Sequence, residues 1–504
     1  MTVLLALLPD AGHDQLWLLL AAQRMGPHLN PYGPLVFESN PPLAIWLSAI
    51  VTGLARVLHL SLTITFKLSV ILLAAAAALV CARLLRRLDP NISSVRLRFL
   101  GIVFLLVFGA VPARDFGQRD HVLTLLILPY LLAAALDRAN RRLSIPARLL
   151  ITLAAALGLA LKPHQALIAL AVEVTLLFRL KRRLRLLEPA VFLACAIAYL
   201  AAIQFLAPIY FTQIVPILRD TYWAFGSLPL PQLANEAPEL TILGVLGVLL
   251  NAFLGRKLPE NTLVQILGVA GIAGIFAYSL QGTGWYYQEL PALSLLSFAL
   301  VLQLLDLAAM SQISIPKWLP IPTAALTILA LTLTTYFSDF RIVSSERFPA
   351  NIQQSQPIPD PAFFRDLPPN SAVATLTTSV DDTVPPAFHY HLILAQRYPH
   401  LWMLPAILRN QSGPPPTHPI PAARLAELDR LQHAFMVEDL TLWHPSLILV
   451  ARCQDPAVSC QVLEDRHDDL LAWFLRDPAF AAIFGHYRFL RGSGPYDAYT
   501  LAGP

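Results

Sequence analysis

PPLAIWLSAIVTGLARVL, residues 41–58, decides how the chain is threaded through a membrane. It is apolar and barely long enough to cross a bilayer. If it crosses, the tract Arg83, Arg86 and Arg87 falls on the opposite side from where the Lys/Arg bias puts it. If it lies along the outer interface or dips in and out, Arg83–Arg87, Arg138–Arg148, Arg179–Arg185 and Arg256–Lys257 share one side. Lys and Arg favour the cytoplasmic flanks of membrane helices, so the second arrangement is expected. Pro41 and Pro42 suit the first turn of such a helix.

The rest of the sequence supports a membrane setting. Of the 504 residues, 56% are hydrophobic and 13% charged, against roughly 25% charged in globular chains. The mean hydropathy is +0.58. A soluble core could not hide that much apolar surface. The net charge of +4 gives no sign of nucleic-acid binding. Further spans are expected at 61–82, 97–112, 122–137, 149–161, 165–178, 189–206, 239–254, 262–280, 289–309 and 319–337. The opening MTVLLALLP reads as the outer end of a first span, short for a signal peptide and without a cleavage pattern. The expectation is a polytopic α-helical membrane protein of about 11 spans, with the N-terminus cytoplasmic. Outward-facing segments are then 10–60, 113–121, the turn 162–164, 207–238, 281–288 and everything after 338.

Residues 1–337 form the transmembrane part, including the first outer loop 10–60 with its juxtamembrane helices, and 338–504 a small soluble α/β domain on the periplasmic side. In that tail, 372–380 and 446–453 read as buried strands, 421–435 and 467–484 as helices, and 498–501 as a last strand. Cys453 and Cys460 either pair as a short-loop disulfide or remain free thiols. Cys81 and Cys195 sit in apolar runs and read as packing residues.

Ionisable residues beside the membrane carry the functional signal. The first outer loop starts a helix over Asp14–Met25, expected to lie on the membrane surface. Its Asp14, next to His13, either caps that helix or does chemistry. The loop ends with Glu38 just before Asn40-Pro41-Pro42-Leu43. The second loop runs Arg114-Asp115-Phe116-Gly117-Gln118-Arg119-Asp120-His121. Asp120 there either caps the next span or serves chemistry, and the two arginines suit anionic oxygens. Lys162-Pro163-His164 separates two short apolar runs, which draws Lys162 below the outer surface. An ionisable residue at that depth points to function, with snorkelling as the plain alternative. Trp285, Tyr286 and Tyr287 are either an interfacial aromatic belt or a platform for a sugar ring.

These stretches resemble the GT-C superfamily of membrane glycosyltransferases, which includes the aminoarabinose transferases of lipid A, the protein O-mannosyltransferases and the rhizobial galacturonosyl transferases. In that superfamily the first loop carries an acid on a surface helix, then an aromatic–acid–x–x–Pro–Pro–Leu stretch. Here His13-Asp14-Gln15, Gln23-Arg24-Met25 and Phe37-Glu38-Ser39-Asn40-Pro41-Pro42-Leu43 stand in that order. Arg119-Asp120 is similar to the second acid, Lys162 to a Lys-Gly or Lys-Pro turn, and Gly284-Trp285-Tyr286-Tyr287 with Pro291 to a late loop. The likeness covers roughly residues 1–310, with departures at Gln15 and Asn40.

The resemblance implies transfer, with inversion, of a sugar from a polyprenyl-phosphate carrier in the membrane lipid to a hydroxyl of a glycolipid, glycan or protein at the periplasmic face of a bacterial inner membrane. Asp14 would be the general base, with Asp120 and Glu38 placing the acceptor. Lys162, Arg114 and Arg119 would meet the lipid phosphate. His13, Asn40, His121, His164, Trp285, Tyr286 and Tyr287 would line the substrate site. No cofactor is required; a divalent metal ion near these acids and histidines is allowed but not needed. Two other classes stay open. A lipid or glycan transporter or flippase would carry charges near mid-bilayer in paired halves; Glu173 is a charge within a span, close to its end, and no internal repeat is present. A non-catalytic scaffold of the same fold would leave the acids Asp14, Glu38 and Asp120 without a task.

Overall fold

The computed structural model describes residues 11–25, 29–139, 141–179, 186–226, 228–254, 262–310, 359–412, 418–458, 460, 462–463 and 466–502. The spans expected at 1–9 and 319–337 lie outside these residues. Within them the chain is mostly helical, and five helices are long and apolar enough to cross a membrane: Leu62–Leu88, Arg119–Arg138, Leu187–Leu206, Thr262–Gln281 and the stretch Tyr286–Ala308. Shorter apolar helices include Leu43–Leu58, Ile145–Leu161, Ala166–Arg179 and Pro238–Leu254. Ser94–Leu105 runs on into a π-helical turn, Leu106–Ala110, which together match the expected span at 97–112.

The residues pack into two compact units. One holds residues 54–202 and 228–310; the other holds 12–53, 203–226 and 359–502.

In the first unit, helix Arg119–Arg138 is the centre of the core, with Leu123, Leu125, Ile127, Leu128 and Leu131 all fully buried. Helix Leu187–Leu206 is the opposite case: 6% of its apolar window is buried, and Phe205 is 82% exposed. An apolar helix this bare needs a solvent other than water, as the composition required. Glu173, a charge expected inside a span, accepts a hydrogen bond from Tyr130 Oη at 2.6 Å. Arg148 grips Glu188 with two bonds of 2.7 and 2.8 Å. Both acids are therefore satisfied within the helix packing, as buried charges must be.

Helices Thr262–Gln281 and Tyr286–Met310 approach closely because small residues face each other. A Cβ on Gly274 would come within 3.1 Å of Ala292 Cα. Backbones that close tolerate no added side chain. Gly274→Leu is expected to lower the unfolding free energy by roughly 1–3 kcal/mol. Thermal melting in detergent, with Gly268→Leu as the control at an open position, checks this.

The second unit is built on a five-stranded sheet of order β2-β1-β3-β5-β4. The strands are β1 (Ala372–Leu376), β2 (Ile393–Leu394), β3 (Leu447–Ala451), β4 (Tyr487–Ser493) and β5 (Tyr496–Leu501). β1 pairs in parallel with both β2 and β3, whereas β3–β5 and β5–β4 are antiparallel. β3 is buried at all five positions, which explains its unbroken apolar sequence LILVA. β1, β3 and β5 lie where the sequence pattern set them. The helix expected at 421–435 extends over Ala422–Trp443. The one expected at 467–484 is two short helices, Leu470–Phe474 and Pro478–Phe484. The first ends at its C-cap Leu475, and Asp477 caps the second, accepting from the amides of Ala479 and Phe480. Cys453 and Cys460 form a disulfide, resolving the two alternatives in favour of pairing.

This unit also contains the first outer loop, which the sequence pattern had grouped with the transmembrane part. Helix His13–Met25 was expected on a membrane surface, yet it buries Gln15, Leu16, Trp17, Leu18, Leu19, Ala21, Ala22 and Met25. Its apolar residues surround the axis, so it is a core helix rather than an amphipathic one. Arg24 donates to the carbonyls of Leu394 and Gln396, and Phe37 stacks on Trp402 at 5.7 Å.

Candidate active site

The candidate residues fall into two clusters, one in each unit. In the first, Lys162 closes helix Ile145–Leu161 with extended backbone torsions, φ −141° and ψ 83°. Pro163 explains this, because a residue preceding proline is held out of the helical region. The chain then turns through Pro163–Gln165 into Ala166–Arg179. Lys162 Nζ lies 3.4 Å from Asp120 Oδ2 and 5.0 Å from the centre of the Tyr287 ring. The lysine is almost wholly buried and Asp120 wholly so. Asp120 occupies the first turn of Arg119–Arg138, where the helix amides favour an anion. Gln165 Nε2 donates to Asp120 Oδ1 at 3.4 Å.

Around this pair, Arg119 is buried and His164 is half-buried with its Nε2 enclosed. Trp285 packs against Tyr287 at 5.9 Å, and Tyr286 Oη donates to the Val111 carbonyl at 2.6 Å. The Arg114 side chain lies outside the described part of the turn Ala113–Asp115. Two expectations change here. Asp120, expected to place the acceptor, is sealed from solvent and holds the lysine instead. His121, expected at the substrate, is 1% exposed. Its Nδ1 accepts from the Gly117 amide at 2.9 Å, and its Nε2 donates to the Phe108 carbonyl at 2.9 Å. A ring with both nitrogens committed to backbone is a packing element. Gly117 meets that ring from a left-handed conformation, φ +87°, where a Cβ would strike Phe66.

The second cluster gathers at the start of helix His13–Met25. His13 Nδ1 lies 2.5 Å from Asp381 Oδ1, and its Nε2 lies 3.5 Å from Asp14 Oδ1. All three side chains keep about a fifth of their surface open, between 19% and 23%. Asp381 leaves the carboxyl end of β1 in the run Thr377–Thr383. Its neighbour Asp382 is buried, bonded to Tyr496 Oη and, at 3.4 Å, to Thr377 Oγ1. Burial pushes the Asp382 carboxyl well above the usual carboxylate range, against those bonds. Glu38, expected as a third catalytic acid, is 2% exposed. It accepts from Trp17 Nε1, from the Asn40 amide at 2.7 Å, from Asn40 Nδ2 and from Ser39 Oγ at 3.1 Å. That acid organises its own loop, and Asn40 is spent in the same network.

Asp381, His400 and Gln165 were missed from sequence. An acid doublet at the end of a predicted strand was the available signal for Asp381. Among the described residues no three His, Cys, Asp or Glu side chains are grouped so as to hold a metal ion.

Compared by sequence, the chain matches no protein-family model and no curated protein. Compared by structure, it is similar to ArnT from Cupriavidus metallidurans. Against the crystal structure with undecaprenyl phosphate bound, the TM-score is 0.54 at 15% identity, covering 99% of this chain and 96% of that one. Against the apo crystal structure it is 0.52 at 15% identity, covering 100% and 97%. The chain has the fold of that protein.

His400 supplies a pH signature for the second cluster. Its ring Nδ1 is enclosed without a hydrogen-bond partner. Burial, opposed by Asp14 and assisted by His13, holds its pKa down at about 4, from an ordinary 6.5. A depressed histidine stabilises the fold above its unfolded pKa and loses that contribution as pH falls towards the folded value. The unit should lose stability between pH 6.5 and 4 with a slope reaching about 1.4 kcal/mol per pH unit from this group. His400→Phe should flatten the fall by one proton, measured as melting midpoint against pH.

Proposed function

We propose that the chain is an inverting glycosyltransferase that moves a sugar from a polyprenyl phosphate to an acceptor hydroxyl. The observation that carries this is the Lys162–Asp120 pair beneath Tyr287 in a GT-C fold. Asp120 holds the Lys162 ammonium in one place, and an ammonium fixed in a water-poor site is a pre-positioned partner for a phosphate oxygen. ArnT of the same fold holds undecaprenyl phosphate, and a lipid phosphate is the anion proposed here. Arg119 and Arg114 add cationic character on the same segment. Trp285, Tyr286 and His164 would border the sugar.

The acceptor oxygen attacks the anomeric carbon as the bond from that carbon to the phosphate oxygen breaks. The sugar inverts, and polyprenyl phosphate leaves with the electron pair of that bond. Asp14 takes the acceptor's proton. It is the candidate acid that stays partly open to a substrate, where Glu38 and Asp120 are sealed. Lys162 meets the departing phosphate, and Asp120 keeps the lysine aimed.

The membrane arrangement belongs to the same proposal. Eleven spans, a cytoplasmic N-terminus and 41–58 at the outer interface keep every basic tract on one side. The sheet unit then works in the periplasm of a bacterial cell, and the Cys453–Cys460 disulfide suits that oxidising compartment.

Mass spectrometry of envelope glycolipids, glycans and proteins from a deletion strain should reveal one missing sugar, naming donor and acceptor class together. An unchanged envelope would defeat the proposal. Asp14→Asn should insert normally and lose transfer by about 100- to 10,000-fold; near-normal turnover would remove Asp14 from the role of base. Lys162→Ala should weaken undecaprenyl phosphate binding roughly 10- to 100-fold, read by thermal shift on the purified protein.

A further inference from the structure

The site has a contributor that comes from the far end of the chain. Asp381 is 368 residues from His13 in sequence, yet their side chains meet at 2.5 Å. His13 is thereby flanked by two acids, Asp381 at Nδ1 and Asp14 at Nε2. An imidazole can donate to both only with a hydrogen on each nitrogen. With a hydrogen on each nitrogen the ring would be a cation facing the Asp14 carboxylate, 3.5 Å away. An acid in that position can do for Asp14 what the orienting carboxylate does for a catalytic histidine: fix the ring and balance its charge.

The fold gives Asp381 little freedom. β1 has parallel partners on both sides, so its carboxyl end is the point where the chain's crossovers diverge. In open α/β sheets, functional groups collect in the crevice at such a point. The run leaving β1 is pinned on either side of Asp381. Asp382 is tied to Tyr496 and Thr377, and Thr383 Oγ1 donates to the Val380 carbonyl at 3.2 Å and to that of Pro399 at 2.5 Å. The short helix Val384–His389 then packs on helix His13–Met25. His400, the other imidazole near Asp14, makes no hydrogen bond at its enclosed nitrogen and does not replace His13 in this contact.

We infer that Asp381 is a positioning residue for Asp14, acting through His13, so that the C-terminal sheet completes the catalytic base. The inference rests on Asp14 being that base. During transfer the acceptor's proton goes to Asp14, while His13 keeps both of its own and Asp381 balances its charge.

The test uses the full-length protein in detergent. A lipid extract of wild-type cells serves as donor, and the envelope fraction of the deletion strain serves as acceptor. Asp381→Asn should lower kcat roughly 100-fold, the scale of a misplaced catalytic group. It should leave the acceptor KM and undecaprenyl phosphate binding as in the wild type. Asp381→Glu should restore most of the turnover. His13→Gln should cost about as much as Asp381→Asn, and the double variant no more than either, as for residues that act as one unit. Wild-type kcat in Asp381→Asn, a change in KM alone, or losses that multiply in the double variant would each overturn the inference. If Asp381→Asn does not fold, His13→Gln decides it, and an unchanged kcat there is fatal. Asp14→Asn separates the two levels. If it is inactive while Asp381→Asn works normally, the relay fails and the base stands. If it is active, both fall.

Discussion

A lysine ammonium buried among apolar helices has to be neutralised where it sits, and in this chain Asp120 does so. Bringing either charge out of water alone costs several kcal/mol. The pair is tolerated because Asp120 also has a helix N-terminus behind it and Gln165 beside it. Much of the local architecture follows. Helix Arg119–Arg138 must begin at the level where helix Ile145–Leu161 ends. Pro163 must hold Lys162 out of that helix, and Tyr287 must lie over the ammonium. None of these elements can slide by a turn without stranding a charge. The pair is thus a register device, the use of buried ions with the firmest physical basis.

The same need for satisfaction explains which acids are available for chemistry. Glu38 is surrounded by four donors, and Asp120 by a lysine and an amide. Such carboxylates are fixed and enclosed. Asp14 has a histidine on one side and keeps an open face. An enclosed acid can orient a loop or a cation, but an acceptor hydroxyl cannot reach it. Exposure, more than the identity of the residue, separates the three roles.

Much of this was legible in the sequence. Apolar runs located the long helices, because in lipid a helix has to satisfy every backbone group itself. β1 and β3 were legible because strands buried on both faces read as unbroken apolar stretches. Other elements left no such mark. β2 spans two residues, and β4 is an edge strand with Phe489 and Leu490 exposed, so neither shows a period. Residues 467–484 carry helical spacing, but the cap at Asp477 divides them. The site was legible in its residue types and less so in its roles. Glu38 and His121 carry the right chemistry for a catalytic loop, and only their hydrogen-bond partners show that they are spent on structure. Asp381 was illegible for a different reason: its partner lies at the other end of the chain, and one sequence holds no record of that distance.

The first outer loop and the C-terminal sheet are one folding unit, and this bears on how the proposed membrane enzyme could hold a polar site. A loop of some forty residues between membrane helices has too little apolar surface to fix its own geometry. Here helix His13–Met25 is buried on nearly every side, and Arg24, Phe37 and Tyr32 each find partners in the unit. The sheet therefore supplies the core that the loop lacks. A carboxylate must be held to a fraction of an ångström to act as a base, and rigid elements do that better than loops. In the proposed reaction the C-terminal region would first support Asp14 as the base, and its acid Asp381 would be the point where that support becomes chemistry.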